Sequence, residues 1–337
     1  HGIRFIPMFG RQSFLVDGKH HFYGGVNIEA VGGGAGLVEA ELQRVQQLGC
    51  EVRYNTAATR LIQDNNRRIT GLEINGPDGY QVINARAVVL ACGGFESNPE
   101  MRARYLGPGW DLARVRGTRH NMGDGIRMAI DIGARAYGNW SGCHSVGWDI
   151  SSPEYGDYEV LDNFQKHSYP WGIMVNTDGK RFVDEGEDLR NHTYVKFGKE
   201  IMNQPNRTAI QIFDQKTIPL LRDEYRIRQV TKFTADSIEA LASALEINTT
   251  ALKATIDQFN AACVPGQFNP SILDGVTTTG LVPNKTNWAL PISEAPFEAY
   301  ITTTGVTFTF GGLKIDSKGT VQDSSDRAIP GLFAAGE

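Results

Sequence analysis

Apolar positions along this chain follow two rhythms. One is the short continuous or alternating run of a β-strand. The strongest case is Ala87-Val88-Val89-Leu90-Ala91, wholly apolar, as a buried strand requires. It runs into Cys92-Gly93-Gly94, where small residues let the backbone approach another group closely. Weaker strand patterns cover 51–54, 68–74 and 80–83, and Gly76-Pro77-Asp78-Gly79 between the last two is a hairpin signal. A second hairpin is predicted from 172–176 and 181–184 around Thr177-Asp178-Gly179-Lys180. Residues 300–316 read as strand and glycine, and 331–335 as a last strand.

The second rhythm is helical. Leu37, Ala40, Leu42 and Val45 predict a helix over 37–48, stopped by Gly49. Gly123-Asp124-Gly125 opens another, which runs through Ile132. Ile238, Leu241, Ala242 and Leu245 form one apolar face. Leu252, Ile256 and Phe259 form the next, behind a cap at Asn248 or Thr249. Residues 140–170 are rich in aromatics and turns, and 265–291 read as loop. The pattern predicts an α/β chain: a core of 1–144 and 296–337, interrupted by an α+β insertion over 145–295.

With 337 residues, two domains with their own cores are affordable. A net charge of −5 gives no case for nucleic acid, which wants a basic face. No apolar run approaches the roughly 18 residues of a membrane span, and a cytoplasmic protein is the default expectation. The four cysteines are scattered without a C-x-x-C, and the seven histidines form no H-x-x-x-H pair, so no metal site is expected.

The motifs, taken in order, carry a resemblance. Gly33-Gly34-Ala35-Gly36 begins a helix, "ACGGFESN" (91–98) ends a strand and "NMGDGIRMA" (121–129) opens a helix. "NWSGCHS" (139–145), "GIMVNTDGKRFVDEGEDLRN" (172–191), "GVTFTFGGLKID" (305–316) and "IPGLFAAGE" (329–337) follow. Together they resemble the FAD-dependent fumarate reductase/succinate dehydrogenase flavoprotein superfamily. "WSGCH", "VDEGED", "PGQFNPSILDG" (265–275) and "TGLVPNKTNWA" (279–289) are most similar to tricarballylate dehydrogenases, whose relatives carry a precorrin-3B synthase-like label. The implied fold is a Rossmann-like, glutathione-reductase-type FAD-binding domain (1–144 and 296–337) with a capping domain (145–295). A complete enzyme of this kind opens with strand, G-x-G-x-x-G and helix within about 30 residues. This chain shows no such unit and stops at the acidic residue after its last strand, so it reads as an internal piece of a longer polypeptide.

The resemblance assigns FAD as cofactor, held by Gly33, Gly34, Ala35, Gly36, Ala58, Ala91, Gly93, Gly94, Asp124, Gly311, Gly312 and Glu337. Glu337 would accept hydrogen bonds from ribityl hydroxyls. From the residues alone, Asp124 serves equally well as an N-cap, and Gly93-Gly94 as a tight strand-to-helix packing point. His144 falls where fumarate reductases bind a substrate carboxylate. Arg190 falls one residue from the position of their proton-transferring arginine, with His192 and Tyr194 as rivals and a surface pair with Glu187 or Asp188 as the plain alternative. The superfamily's histidines before the second Gly-Gly pair are replaced by Thr307-Phe308-Thr309-Phe310, which speaks against fumarate itself. Thr307 then either meets substrate or belongs to a plain two-faced strand.

The expected activity is therefore FAD-dependent oxidation at a CH–CH group of a small, tricarballylate-like polycarboxylate, with hydride passing to flavin N5. By the resemblance, electrons continue to an iron–sulfur membrane protein, which would draw the enzyme to a membrane through that partner. Other flavin desaturases and enoate reductases, of fumarate reductase or ketosteroid dehydrogenase type, are the near alternatives. A catalytically silent scaffold without flavin is the distant one.

Overall fold

The structure, a computed structural model, describes residues 2–23 and 27–336. By its contacts the chain forms two compact units, one of residues 1–50 and 145–305, the other of 51–144 and 306–337. The first 50 residues thus group with the segment read as the insertion.

In the first unit, the strands Ile173–Asn176, Ala209–Phe213 and Phe297–Leu313 pair antiparallel, with Val175 opposite Ile210 and Ile210 opposite Ile301. Lys232–Ala235 adds to the same long strand, Phe233 opposite Ala299. Period-two alternation sends Ile173, Val175, Ile210, Ile212 and Ala299 to one face. The helices Ile238–Ala244 and Thr249–Ala262 cover that face with Leu241, Leu252, Ile256 and Phe259. Both helix starts are capped as their sequences require. Ser237 Oγ accepts from Ala240 N at 3.1 Å, and Asn248 Oδ1 from Ala251 N at 2.9 Å. Met174 and Ala209 take the opposite face and meet Phe197 and Ile201 of the helix Arg190–Met202. That layer fixes the start of the helix, and with it Arg190.

The predicted hairpin is half formed. Ile173–Asn176 is a strand, and Asn176 Oδ1 accepts from the backbone N–H groups of Asp178 and Lys180 in the turn. The return segment makes one bridge, Val175 to Arg181, instead of a strand. Its residues turn inward: Arg181 forms a buried two-pronged pair with Glu185, whose Oε1 also accepts from Met174 N at 2.7 Å.

In the second unit, Ala57–Gln63, Ile69–Gly76 and Gly79–Asn84 form a meander, the last pair closed by the Gly76-to-Gly79 turn. Val88–Leu90 runs parallel to Ala328–Ala334, whose other side carries Thr320–Gln322. The helix Asp124–Asp131 contributes Met128 and Ala129 to a core with Leu61, Ile69, Leu90, Val321, Ile329 and Leu332.

Three sequence expectations need correction. Val88–Leu90 is the outer strand of its three-stranded sheet, and Val89 is 62% exposed rather than buried. Residues 51–54 form no strand and lead into a bend at the exposed Tyr54. Ala136–Asp149 is a 14-residue strand where turns were expected. Among the described residues no helix is long and apolar enough to cross a membrane.

Candidate functional site

A hollow lies in each unit. The cleft in the second unit has a volume of about 380 Å³. Five glycines line it, Gly93, Gly125, Gly138, Gly311 and Gly312, together with the stretch 334–336 and apolar side chains that include Ile126, Tyr137, Phe308, Phe310 and Leu313. The local sequence explains why these positions are small. A Cβ on Gly125 would lie 2.4 Å from Cys92 Sγ, and one on Gly138, whose φ is +91°, would lie 2.4 Å from Phe310 O. Gly312 is different. A Cβ there meets nothing within 4 Å, so the space beside it is the cleft itself.

Of the residues expected at the cofactor, Gly93, Gly311 and Gly312 line this cleft. Gly94 is a packing glycine, since a Cβ there would lie 2.3 Å from Thr309 Oγ1, which also accepts from Phe95 N. Ala91 is exposed at the end of its strand, between Leu90 and Cys92, which do line the cleft. Ala58 pairs with Ile74 in the meander and packs on the core. Asp124 is not the N-cap. Gly123 holds that position with φ +82°, and Asp124 is an exposed first-turn residue 3.7 Å from Arg127. Its negative charge suits the helix N-terminus. Gly33, Gly34, Ala35 and Gly36 belong to the other unit, where the helix Gly33–Gln47 starts after a left-handed Gly32. Gly36 is obligatory there, because a Cβ would lie 2.0 Å from Val31 O. Glu337 lies outside the described residues.

His144 also belongs to the second unit. Its ring stacks on Phe308 at 4.7 Å, and Nδ1 lies 3.0 Å from Thr307 Oγ1. Arg116 Nη1 donates to the same Oγ1 at 3.3 Å. Thr307 thus links His144 to Arg116, a residue absent from the sequence reading.

The hollow in the first unit is small, about 30 Å³, and strongly cationic. Arg190, the first residue of its helix, and Arg222 both line it, with His167, Tyr23, Trp171 and Trp288 among the walls. Arg190 Nη1 lies 3.4 Å from His167 Nδ1, and its guanidinium lies over the Tyr194 ring at 5.3 Å. Its buried Nη2 has no hydrogen-bond partner among the described residues. Burial, and then the charge of Arg222, bring the Arg190 pKa down to about 9. The alternative of a surface pair with Glu187 or Asp188 is excluded: Glu187 pairs with Lys196, and Asp188 with His192. His192 is 64% exposed and takes no part in the hollow. Lys285, fully buried, donates to Pro170 O at 2.8 Å and Gly172 O at 2.6 Å and so fixes the backbone on either side of Trp171.

A cleft lined by glycines and apolar side chains suits a planar, ring-bearing cofactor; a dehydrated arginine cluster suits an anion. Residues 11–337 match the family described as FAD binding domain, and the chain belongs to that family. Among curated proteins it is similar to a probable fumarate reductase (Ifc3) of Shewanella frigidimarina, 27% identical, covering 96% of this chain and 50% of that protein. It is also similar to a vinyl phenol reductase of Lactiplantibacillus plantarum, 28% identical, covering 94% and 66%. Among solved structures, the open conformation of a flavocytochrome c3 fumarate reductase shares the fold with a TM-score of 0.70 at 23% identity, covering 98% of this chain and 55% of that one. The chain spans about half to two thirds of the length of these relatives.

The open space at Gly312 gives the cofactor assignment a direct test. Gly312→Leu should change the melting temperature little, because a Cβ at this position meets nothing within 4 Å. It should abolish retention of flavin, read as loss of absorbance near ~450 nm in the purified protein. Full flavin occupancy in the variant would remove this cleft from the cofactor.

Proposed function

We propose that the chain is the FAD- and substrate-binding part of an oxidoreductase that acts on a CH–CH group of a small, tricarballylate-like polycarboxylate. The observation that carries this reading is Arg190 Nη2, a buried donor of a cationic group with no partner among the described residues. Leaving such a donor unpaired costs roughly 1–3 kcal/mol, which an anionic substrate would recover. A neutral ring ketone could accept a hydrogen bond from it but would leave its positive charge unbalanced. The reductase names of the relatives support flavin redox chemistry at an activated carbon–carbon bond.

The glycine-walled cleft fits FAD, whose isoalloxazine, when bound, supplies a two-electron, hydride-level acceptor. The protein's own residues do the rest. Arg190 moves the proton on the carbon next to the one losing hydride. Its pKa of about 9, far below that of a solvated guanidinium, lets it exchange a proton in the working range. By the resemblance, His144 is the residue that would meet a substrate carboxylate, with Thr307 hydrogen-bonded between it and Arg116. Tyr194 sits against the Arg190 guanidinium and steadies it. Electrons then leave to a separate electron-transfer partner, an iron–sulfur membrane protein in the simplest arrangement.

Anaerobic titration of the full-length flavoprotein tests the reading. Tricarballylate should bleach the oxidised flavin, or, in the reverse sense, its unsaturated counterpart should re-oxidise the reduced enzyme. An enzyme inert to both but bleached by a neutral ketone would overturn the proposal.

A further inference from the structure

We propose that Arg222 is a carboxylate anchor, and that the hollow it shares with Arg190 is a binding subsite for one terminal carboxylate of an organic acid. This deepens the functional reading above and rests on it for the identity of the acid.

Arg222 is buried, 5% exposed, and uses little of its hydrogen-bonding capacity. Its backbone N–H goes to Ser168 Oγ at 3.1 Å and its Nε to Glu224 Oε1 at 2.6 Å. Among the described residues the fork of two Nη groups, the part shaped for a carboxylate, makes no hydrogen bond, and Arg222 lines the hollow. Charge counting points the same way. Arg190, Arg222 and the buried Lys166 are grouped with two acids, Glu224, which pairs with Arg222 Nε, and Asp149, which lies 3.5 Å from Lys166. One positive charge is uncompensated, and the start of the helix Arg190–Met202, which has no side-chain cap, adds to it. A buried charge left without a counter-charge is strongly destabilising, and a bound anion relieves it. A single monoanionic group balances the site, whereas a dianionic phosphate would overshoot.

Size and lining narrow the ligand further. About 30 Å³ is room for about two water-sized groups, at the 10–15 Å³ each requires. That matches the two oxygens of one carboxylate. The flanking surfaces are Trp171, Trp288, Leu189 and Pro170. They exclude water from the ion pair and suit the methylene attached to the carboxylate. The same chemistry could come from a free small anion, so the test separates the two sources.

The 337-residue chain is titrated with sodium tricarballylate and, separately, with sodium formate, at constant ionic strength set with sodium chloride. Tryptophan fluorescence is the readout, since Trp171 and Trp288 are in the wall. Saturable binding of tricarballylate is expected, with formate at least tenfold weaker. Arg222→Gln should weaken tricarballylate at least tenfold. That variant leaves Glu224 buried and unpaired, so Arg222→Gln/Glu224→Gln is made alongside it to keep a neutral hydrogen-bonded pair, and the same loss is expected. Formate binding as tightly as tricarballylate would overturn the organic-acid ligand. No saturable response to either anion, or equal tricarballylate affinity in wild type and both variants, would overturn the subsite. If tricarballylate binds through Arg222 while the full-length flavoprotein shows no flavin bleaching, the subsite stands and the proposed reaction falls.

Discussion

In the oxidoreductase proposed above, Arg190→Lys should lower kcat by about two to four orders of magnitude, the range a positioned proton-transfer group supplies. Lysine keeps the positive charge, so a residue needed only for charge would survive the change. It does not keep the planar fork, nor the contact of the guanidinium with the Tyr194 ring. The pH profile provides a second readout. The Arg190 pKa is drawn down to about 9 by burial and by Arg222. Below that pH the residue is a cation able to give a proton; above it, a base able to take one. Turnover in the oxidation direction should therefore rise through pH 9, and turnover in the reduction direction should fall through it. Near-normal kcat in the lysine variant, with the inflection unmoved, would take Arg190 out of proton transfer. Tyr194, whose ring lies against the Arg190 guanidinium, would then be the remaining candidate.

Gly198→Ala should cost about 3 kcal/mol or more of stability. Gly198 lies on the helix Arg190–Met202, where alanine would ordinarily gain about 1 kcal/mol. Here a Cβ would lie 2.3 Å from Ser145 C and 2.4 Å from Ser145 O and Val146 N. These are backbone atoms of a long strand and cannot swing aside. Thr304 Oγ1, donating to Gly198 O at 2.7 Å, holds the helix at that distance. Overpacking of this kind costs roughly 1–3 kcal/mol, occasionally more, and the rigid neighbours put this site at the upper end. At about 2–4 °C per kcal/mol, thermal unfolding should shift down by about 6–12 °C. Gly34→Ala, near the start of another helix with nothing within 4 Å of its Cβ, is the control and should lose nothing. An unchanged melting temperature for Gly198→Ala would contradict the close approach.

The elements legible in the sequence were those whose signal is local. Thr249–Ala262 announces itself by Leu252, Ile256 and Phe259 on one stripe and Asn248 at the cap, and all of these behave as read. The meander is legible because its turn, Gly76 to Gly79, needs glycine. Ala136–Asp149 was hidden because Gly138 and Gly142 interrupt its pattern. Both are needed to clear neighbouring residues, Phe310 for Gly138 and Asn139 with Phe310 for Gly142. The site divides along the same line. Gly93, Gly311 and Gly312 sit in readable glycine motifs. Arg222 and His167 sit in none; they reach Arg190 only because residues 12 to 288 fold around one hollow. No spacing rule detects that. The nearest signal was the wealth of arginine in 222–228, which reads equally well as a solvated surface.

The outer strand Val88–Leu90 bears on how the protein behaves in a tube. One side of it pairs with Ala328–Ala334 and the other carries no strand among the described residues, with Val89 bare beside it. The meander ends in a similar edge at Gly79–Asn84, where Tyr80 and Val82 are exposed. Two apolar edges on one unit are templates for sheet pairing between molecules. Concentrated stocks of this chain should therefore coarsen into oligomers through the second unit. A charged substitution at Val89 or Val82 should keep the solution clear without touching the cofactor cleft.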